Sequence, residues 1–389
     1  MFLLLSGCGG AGGTTPVSEA DLTLTGQDGL GSYVAGAGPD GVFVGTEAGE
    51  AFRVDASELR GVKSAEGEGC VYRDGPQIQG VADVTADGIA DVAVGMGTGA
   101  ALYSGDECKP AAIAEYTCDA DCTLVVGGSG DPDADGTPDL FLGAPDLGSV
   151  YLVPGDKRGT VTLSSAGAVA LGGGEGVAGL GAAGLVTDLD GDGVSDVVAA
   201  AVTVGGSDGG AFVFLGPIAE NRTSDTAVRL DGWAAENGKG VAAGDLNGDG
   251  YGDVVLGGSN SVGIFLGPFS GGSGSANVTL TGPDGARAGA DVAAPGDVTG
   301  DGEVDILVGA PGVDRAGAEG AGAAWVVEGP FAGGTRELDK ERTRFVGESA
   351  GQQVGASVAS AGDVDGDGTA DVIIGAPGAD AAYVFLGGE

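Results

Sequence analysis

The chain has 389 residues, of which 84 are glycine, 57 acidic, 16 basic and none histidine. More than one glycine in five excludes a mainly helical protein, because each helical glycine costs about 1 kcal/mol relative to alanine. A formal charge of −41 excludes unaided binding to nucleic acid, and the missing histidine removes the commonest general base and the imidazole ligand of zinc and copper sites. Hydrophobic residues still amount to 42%, gathered in short runs of Val, Ile, Leu, Ala and Phe. That pattern describes buried strands joined by tight turns.

In chain order, the N-terminus reads Met-Phe-Leu-Leu-Leu-Ser-Gly-Cys8. Leu5-Ser6-Gly7-Cys8 resembles a bacterial lipobox, whose cysteine is acylated and becomes the first mature residue. Residues 1–8 are therefore expected to be a shortened lipoprotein signal with Cys8 as the lipidation site. The apolar run is shorter than the roughly 7–15 residues of a complete signal. Residues 9–20, rich in Gly and Thr, read as a flexible tether, and the folded region as 21–389. No other segment is apolar over the ~20 residues that a membrane-spanning helix needs.

Leu22-Thr-Leu-Thr-Gly26 reads as an isolated strand. After it comes Gly38-Pro-Asp-Gly-Val-Phe-Val-Gly45, the first and most eroded copy of a repeat. Cys70, Cys108, Cys118 and Cys122 follow. An even count in an exported chain points to two disulfides, with three connectivities open. The pairing expected here is Cys118–Cys122, which closes a small loop, with Cys70–Cys108. The irregular spacing argues against a zinc site.

Six clear copies of the repeat start at Asp83, Asp131, Asp188, Asp245, Asp297 and Asp363, spaced by 48, 57, 57, 52 and 66 residues. In each, a small-residue strand enters an acidic loop and a buried strand leaves it. A Gly-rich connection, an aromatic-bearing strand and a Leu-x-Gly strand complete the unit. Four short strands per period of about 50 residues describe a propeller blade. Seven copies predict an all-β, seven-bladed β-propeller with four-stranded antiparallel blades. The chain ends on a third-type strand and begins on a fourth-type one. Leu22–Thr25 is therefore expected to pair with 382–385 and close the ring, which removes an exposed edge.

The loop pattern is Asp-x-Asp-x-Asp-Gly-x-x-Asp. Calcium takes six to eight oxygens, and carboxylates at positions 1, 3, 5 and 9 with a carbonyl at position 7 can supply them. Glycine at position 6 permits the sharp bend. Full sets occur at Asp131, Asp133, Asp135 and Asp139; at Asp188, Asp190, Asp192 and Asp196; and at Asp363, Asp365, Asp367 and Asp371. Asp245, Asn247, Asp249 and Asp253 exchange one carboxylate for an amide. Asp297, Thr299, Asp301 and Asp305 offer a hydroxyl at position 3. Asp83, Thr85, Asp87 and Asp91 do likewise, with Ala86 in place of the usual glycine, and are expected to be the weakest. Up to six Ca2+ ions are expected, one per loop. Magnesium suits the pattern less, because it demands stricter geometry and keeps its water. The competing reading is a set of Asx turns. It leaves the repulsion among clustered carboxylates unrelieved six times over.

These units resemble FG-GAP repeats, found in the propeller of integrin α chains and in many bacterial surface proteins. The Gly-Ala-Pro half is literal at Gly143, Gly309 and Gly375, whereas the Phe-Gly half is degraded, with Gly355-Ala-Ser-Val358 in its place. The resemblance covers roughly residues 20–389. It implies calcium in the loops of the lower face and partners on the upper face. Topology then puts Trp233, Lys239, Arg287 and Arg315 in upper-face loops as candidate partner contacts, the alternative being scattered surface residues.

The function expected from this reading is that of a calcium-binding, envelope-anchored binding or adhesion module for a protein or glycan. It would sit at the outer membrane or cell surface, held only by its lipid, and bind no nucleic acid. No catalytic residue is assigned. A glycosidase or lyase acting on polysaccharide in the central channel is the enzymatic alternative, and a passive envelope scaffold or assembly factor is the third.

Overall fold

The computed structural model describes residues 14–36, 41–47, 49–55, 61–64, 70–73, 75, 77–86, 89–105, 111–119, 121–232 and 240–388. They form seven small sheets arranged as the blades of a propeller. Blade 6 is typical: Asp291–Gly296, Asp305–Ala310, Ala323–Val327 and Thr343–Val346 pair antiparallel in that order. The first strand of each blade lines the axis and the fourth lies outside it. The acidic loops join first to second strands, so all share one face, the lower face.

The second strands are buried at every position in Gly41–Gly45, Asp91–Gly95, Asp139–Ala144, Asp253–Gly257, Asp305–Ala310 and Asp371–Ala376. Each is covered on both faces by neighbouring blades. That is why these strands read as continuous apolar runs and not as alternating ones.

The Gly-Ala-Pro motif has a steric cause. A methyl group on Gly143, Gly257, Gly309 or Gly375 would overlap the carbonyl oxygen of Gly181, Gly289, Gly355 or Gly31, each in the next blade. The four partners themselves have φ between +83° and +90°, a region that favours glycine. The residue before each partner, Leu180, Ala288, Val354 or Leu30, is fully buried. The motif's Phe is thus replaced by smaller apolar side chains in the same buried place.

The ring closes within blade 7. Leu22, Thr23, Leu24 and Thr25 pair antiparallel with Val384, Tyr383, Ala382 and Ala381. A further closure lies in the segment expected as tether. Thr14–Pro16 forms a strand parallel to Thr343–Val346 of blade 6, and Val17 is buried behind it. Residues 14–17, within the segment expected as tether, are thus part of the propeller.

That N-terminal strand is one case of a general addition to the four antiparallel strands. In six blades a short fifth strand lies parallel to the fourth, contributed by the next blade between its own third and fourth strands. Gly159–Thr162 lies on blade 2, Arg222–Thr223 on blade 3, Ser273–Gly274 on blade 4 and Gly334–Glu337 on blade 5. Gly61–Ser64 does the same for blade 7. Among the described residues, six blades thereby have their outer edge covered by the next, an edge that would otherwise be open to pairing.

Gly309→Ala is expected to destabilise the protein by about 1–3 kcal/mol or more, since the backbone it would meet has nowhere to move. Gly317→Ala, where no atom lies within 4 Å of an added Cβ, should cost only the left-handed strain of about 1 kcal/mol. Urea unfolding of the two variants measures the difference.

Candidate metal loops on the lower face

Five of the loops are built by their first aspartate. In blade 7, Asp363 Oδ1 accepts the N–H groups of Gly366 at 2.8 Å and Asp367 at 3.0 Å, and Oδ2 accepts that of Gly368 at 3.0 Å. Asp245 and Asp297 make the same three bonds in blades 5 and 6. Position 5 folds the next turn, as Asp192 Oδ1 accepts from Val194 at 2.8 Å. In the five loops whose position 6 is described, its glycine has φ near +90°, from Gly193 at +86° to Gly368 at +95°. Position 4 is also left-handed, and two non-glycine residues occupy it: Ala86 at +59° and Ala134 at +62°. The irregularity ascribed to the Asp83 loop therefore recurs at Asp131.

The last aspartate joins three segments. Its Oδ2 accepts from position 2, as in Leu189→Asp196 and Leu246→Asp253, both 2.8 Å. Its Oδ1 accepts from the end of the third strand, as in Gly216→Asp196 and Gly267→Asp253, both 2.7 Å. Asp305 and Asp371 repeat the arrangement. In blade 3, position 2 is Pro132, which has no N–H to donate to Asp139.

Burial raises the pKa of these last aspartates, and at Asp139, Asp196, Asp253 and Asp371 the neighbouring loop carboxylates raise it further. Asp253 and Asp371 are pushed up to about 6 and Asp139 to about 7. Asp196 and Asp305 are raised chiefly by burial. Asp139 stands highest of the three with values, and it lacks the position-2 bond that offsets burial elsewhere.

Three loops gather three carboxylate oxygens within 4.8 Å of one another: Asp131, Asp133 and Asp135; Asp188, Asp190 and Asp196; Asp363, Asp365 and Asp371. Oxygens on opposite sides of one calcium, each at about 2.3–2.6 Å, have a similar separation. These are the three loops with full acidic sets. Within them Asp192, Asp367 and Asp139 fall outside the triplet. Among the described residues, the loops at Asp83, Asp245 and Asp297 form no such triplet, and Asp87 lies outside those residues. In the Asp245 loop, the Asn247 amide nitrogen donates to Asp249 at 3.0 Å. In the Asp297 loop, the Thr299 hydroxyl lies beside the Asp305 carboxyl and acts on it as a hydrogen-bonding neighbour. With a hydroxyl at position 3 the loop still offers oxygen ligands alone, a donor set that fits a hard cation.

Elsewhere, Arg287 and Arg315 are exposed on the face opposite the loops, with Arg287 at φ +56°. Acids share that face, among them Asp28, Asp146, Asp284 and Glu319. Trp233, Lys239, Cys8, Cys108 and the Cys70 side chain lie outside the described residues. Cys118 and Cys122 are bonded, with Cα atoms 6.2 Å apart. Among the described residues no helix is long and apolar enough to cross a membrane.

Sequence reasoning missed Asp291. It lines the axial cavity of about 420 Å3 at the start of a first strand. Its oxygens accept from Gly240 N at 3.1 Å, Val292 N at 3.0 Å, Ser357 Oγ at 2.9 Å and Val358 N at 2.9 Å. Ser357 Oγ in turn accepts from Val34 of blade 1 at 3.1 Å. This carboxylate is a joint between blades 5, 6, 7 and 1. No second acid is among the described residues that line the cavity, whereas glycoside hydrolysis ordinarily uses a pair. The signal was an acid outside the loop pattern, in a strand otherwise made of small residues.

The raised aspartates set a pH dependence for the cation-free protein. A carboxyl whose folded pKa exceeds its unfolded value binds more protons when folded, so stability falls as pH rises between the two values. With chelator present, the melting temperature should decline from pH about 4 to about 7. A rise over that interval, measured by differential scanning fluorimetry, would contradict the assignment.

Comparison with known proteins agrees with this architecture. The FG-GAP-like repeat profile matches residues 245–308, and the FG-GAP repeat profile matches residues 354–388. The chain is 34% identical over 162 residues to integrin alpha-PS5 of Drosophila melanogaster, an alignment covering 38% of this chain and 16% of that protein. The chain is a seven-bladed β-propeller that carries FG-GAP repeats and resembles an integrin α chain over part of its length.

Proposed function

We propose that the protein is an exported, calcium-binding propeller that acts as a binding or adhesion module. The observation that carries this reading is the repetition of one acidic loop at the same place in six blades, three times with carboxylates already drawn together. Likeness to an integrin α chain supports a protein ligand, and a glycan is the other class the reading admits.

Calcium would supply the positive charge that the loop carboxylates lack. Asp131, Asp133 and Asp135, Asp188, Asp190 and Asp196, and Asp363, Asp365 and Asp371 are the residues that would hold it in the three strongest loops. Asn247, Thr299 and Thr85 replace one carboxylate each in the weaker ones. The last aspartate of a loop also holds the second strand to the end of the third. An ion there would stabilise the blade and not merely its loop. Binding to the folded state alone contributes about 2.7 kcal/mol per site at a calcium concentration 100 times Kd.

The anchor follows the same geometry. The first described strand runs parallel to Thr343–Val346 and starts on the lower side of blade 6. A lipid on Cys8 would hold the acidic face toward the membrane. The upper face, with Arg287 and Arg315, would then meet the partner.

Calcium should raise the melting temperature, and Asp365→Ala should lower the bound calcium by one ion per chain in equilibrium dialysis. An unchanged melting temperature in chelator would leave the loops as plain Asx turns. Arrays of glycans and extracellular proteins, probed with and without calcium, test the binding role. A ligand retained only with calcium is expected. Polysaccharide cleavage that survives chelation would favour an enzyme.

A further inference from the structure

The acidic loops are not separate from one another. We propose that they form one belt, in which cation binding at a loop is coupled to binding at the loops of the adjacent blades. This rests on the calcium reading above.

The coupling runs through bonds between blades. Position 1 or 2 of one loop presents a carbonyl that the next blade uses. Ser195 N donates to Asp131 O at 3.2 Å, Gly252 N to Leu189 O at 2.9 Å, and Ala370 N to Asp297 O at 2.7 Å. Each of these donors is position 8 of the next loop, immediately before its last aspartate. The end of the next blade's third strand supplies a second set: Ile218 N to Pro132 O at 2.6 Å, Phe331 N to Leu246 O at 2.9 Å and Gly388 N to Val298 O at 2.9 Å. Between blades 2 and 3, Arg158 Nη2 donates to Thr85 O at 3.2 Å. The four steps from the Asp131 loop to the Asp363 loop are bonded backbone to backbone in this way, and the step from the Asp83 loop is bonded through the Arg158 side chain.

The consequence is physical. The first turn of a loop is ordered by its position-1 aspartate, and that turn carries the carbonyls. The segment receiving them holds position 8 and the third-strand end, the two places that set the neighbouring position-9 aspartate. Ordering one loop thus pre-arranges the closing residue of the next, and the effect is reciprocal by linkage. Blade 1 has lost its acidic loop, so the belt is open there. It is a linear array of six, with ends at blades 2 and 7, and its energetics should follow nearest neighbours.

The joint between blades 3 and 4 is the one a side chain can report. Ser195 Oγ accepts Asp131 N–H at 3.2 Å while Ser195 N–H donates back to Asp131 O. Ser195 belongs to neither set of cation-binding side chains, so Ser195→Ala removes the side-chain half of the joint, the bond from Asp131 N–H, and leaves the backbone bonds and those side chains in place.

The test uses the full chain and calcium alone, read by isothermal titration and by amide hydrogen exchange of residues 131–139. Asp190→Ala, which disables the adjacent loop, should weaken calcium binding at the Asp131 loop by about 5-fold or more and speed exchange there. Asp365→Ala, three blades further on, should leave residues 131–139 as in the wild type. Ser195→Ala, which loosens the joint, should reduce the effect of Asp190→Ala in a double-mutant cycle. Asp190→Asn, which keeps the turn's acceptor, serves if Asp190→Ala does not fold. Equal effects of the near and far variants, or an additive cycle, would overturn the coupling alone. A wild type that binds no calcium would overturn the underlying reading and the coupling with it.

Discussion

Neighbouring blades touch backbone to backbone where Gly375 meets Gly31, Gly143 meets Gly181, Gly257 meets Gly289 and Gly309 meets Gly355. No side chain fits on either partner, so the closeness of the blades is fixed by glycine before any apolar packing is counted. The fully buried second strands follow from it, because only blades this close can exclude water from both faces of a strand. The small axial strands follow as well. A Cβ at Gly184 would strike Phe141 of the preceding blade. Glycine loses more conformational entropy on folding than any other residue. The ring offsets that loss by burying six second strands completely and by covering the outer edge of six blades with a fifth strand from the next.

At the lower face the dominant force changes from packing to charge. Carboxylates that repel one another are held together by backbone N–H groups, as Asp363 is by three. That arrangement folds the turn without a cation, yet it leaves the last aspartates buried among like charges, with raised pKa values. A loop can therefore be an Asx turn and a cation site at once. Asp291 resolves the same problem differently. It is saturated by four donors from the blades around it and has no need of an ion.

Much of the fold was legible because its signals are local and repeated. The Gly-Ala-Pro runs, the acidic loops and the strand order gave the blades and the closure at Leu22–Thr25. The fifth strands were not legible. Gly159–Thr162 and Gly334–Glu337 carry no apolar alternation, being mostly exposed and paired with a blade other than their own. Thr14–Pro16 was read as tether for the same reason, since Val17 is one apolar residue in a small-residue run. Among the loops, carboxylate count ranked the three that cluster. The double duty of position 9 was hidden, because it depends on Gly216, Gly267, Gly329 and Gly387, 14 to 24 residues away in sequence. So was the bond lost at Pro132, whose effect appears only at Asp139.

The account is tested most directly by a crystal structure from crystals grown in calcium, with diffraction collected at a wavelength where calcium scatters anomalously. Anomalous peaks should lie at the centres of the loops that begin at Asp131, Asp188 and Asp363, with weaker or no peak at Asp83. Loops that keep the same turns around water alone, with no anomalous peak in any blade, would contradict it.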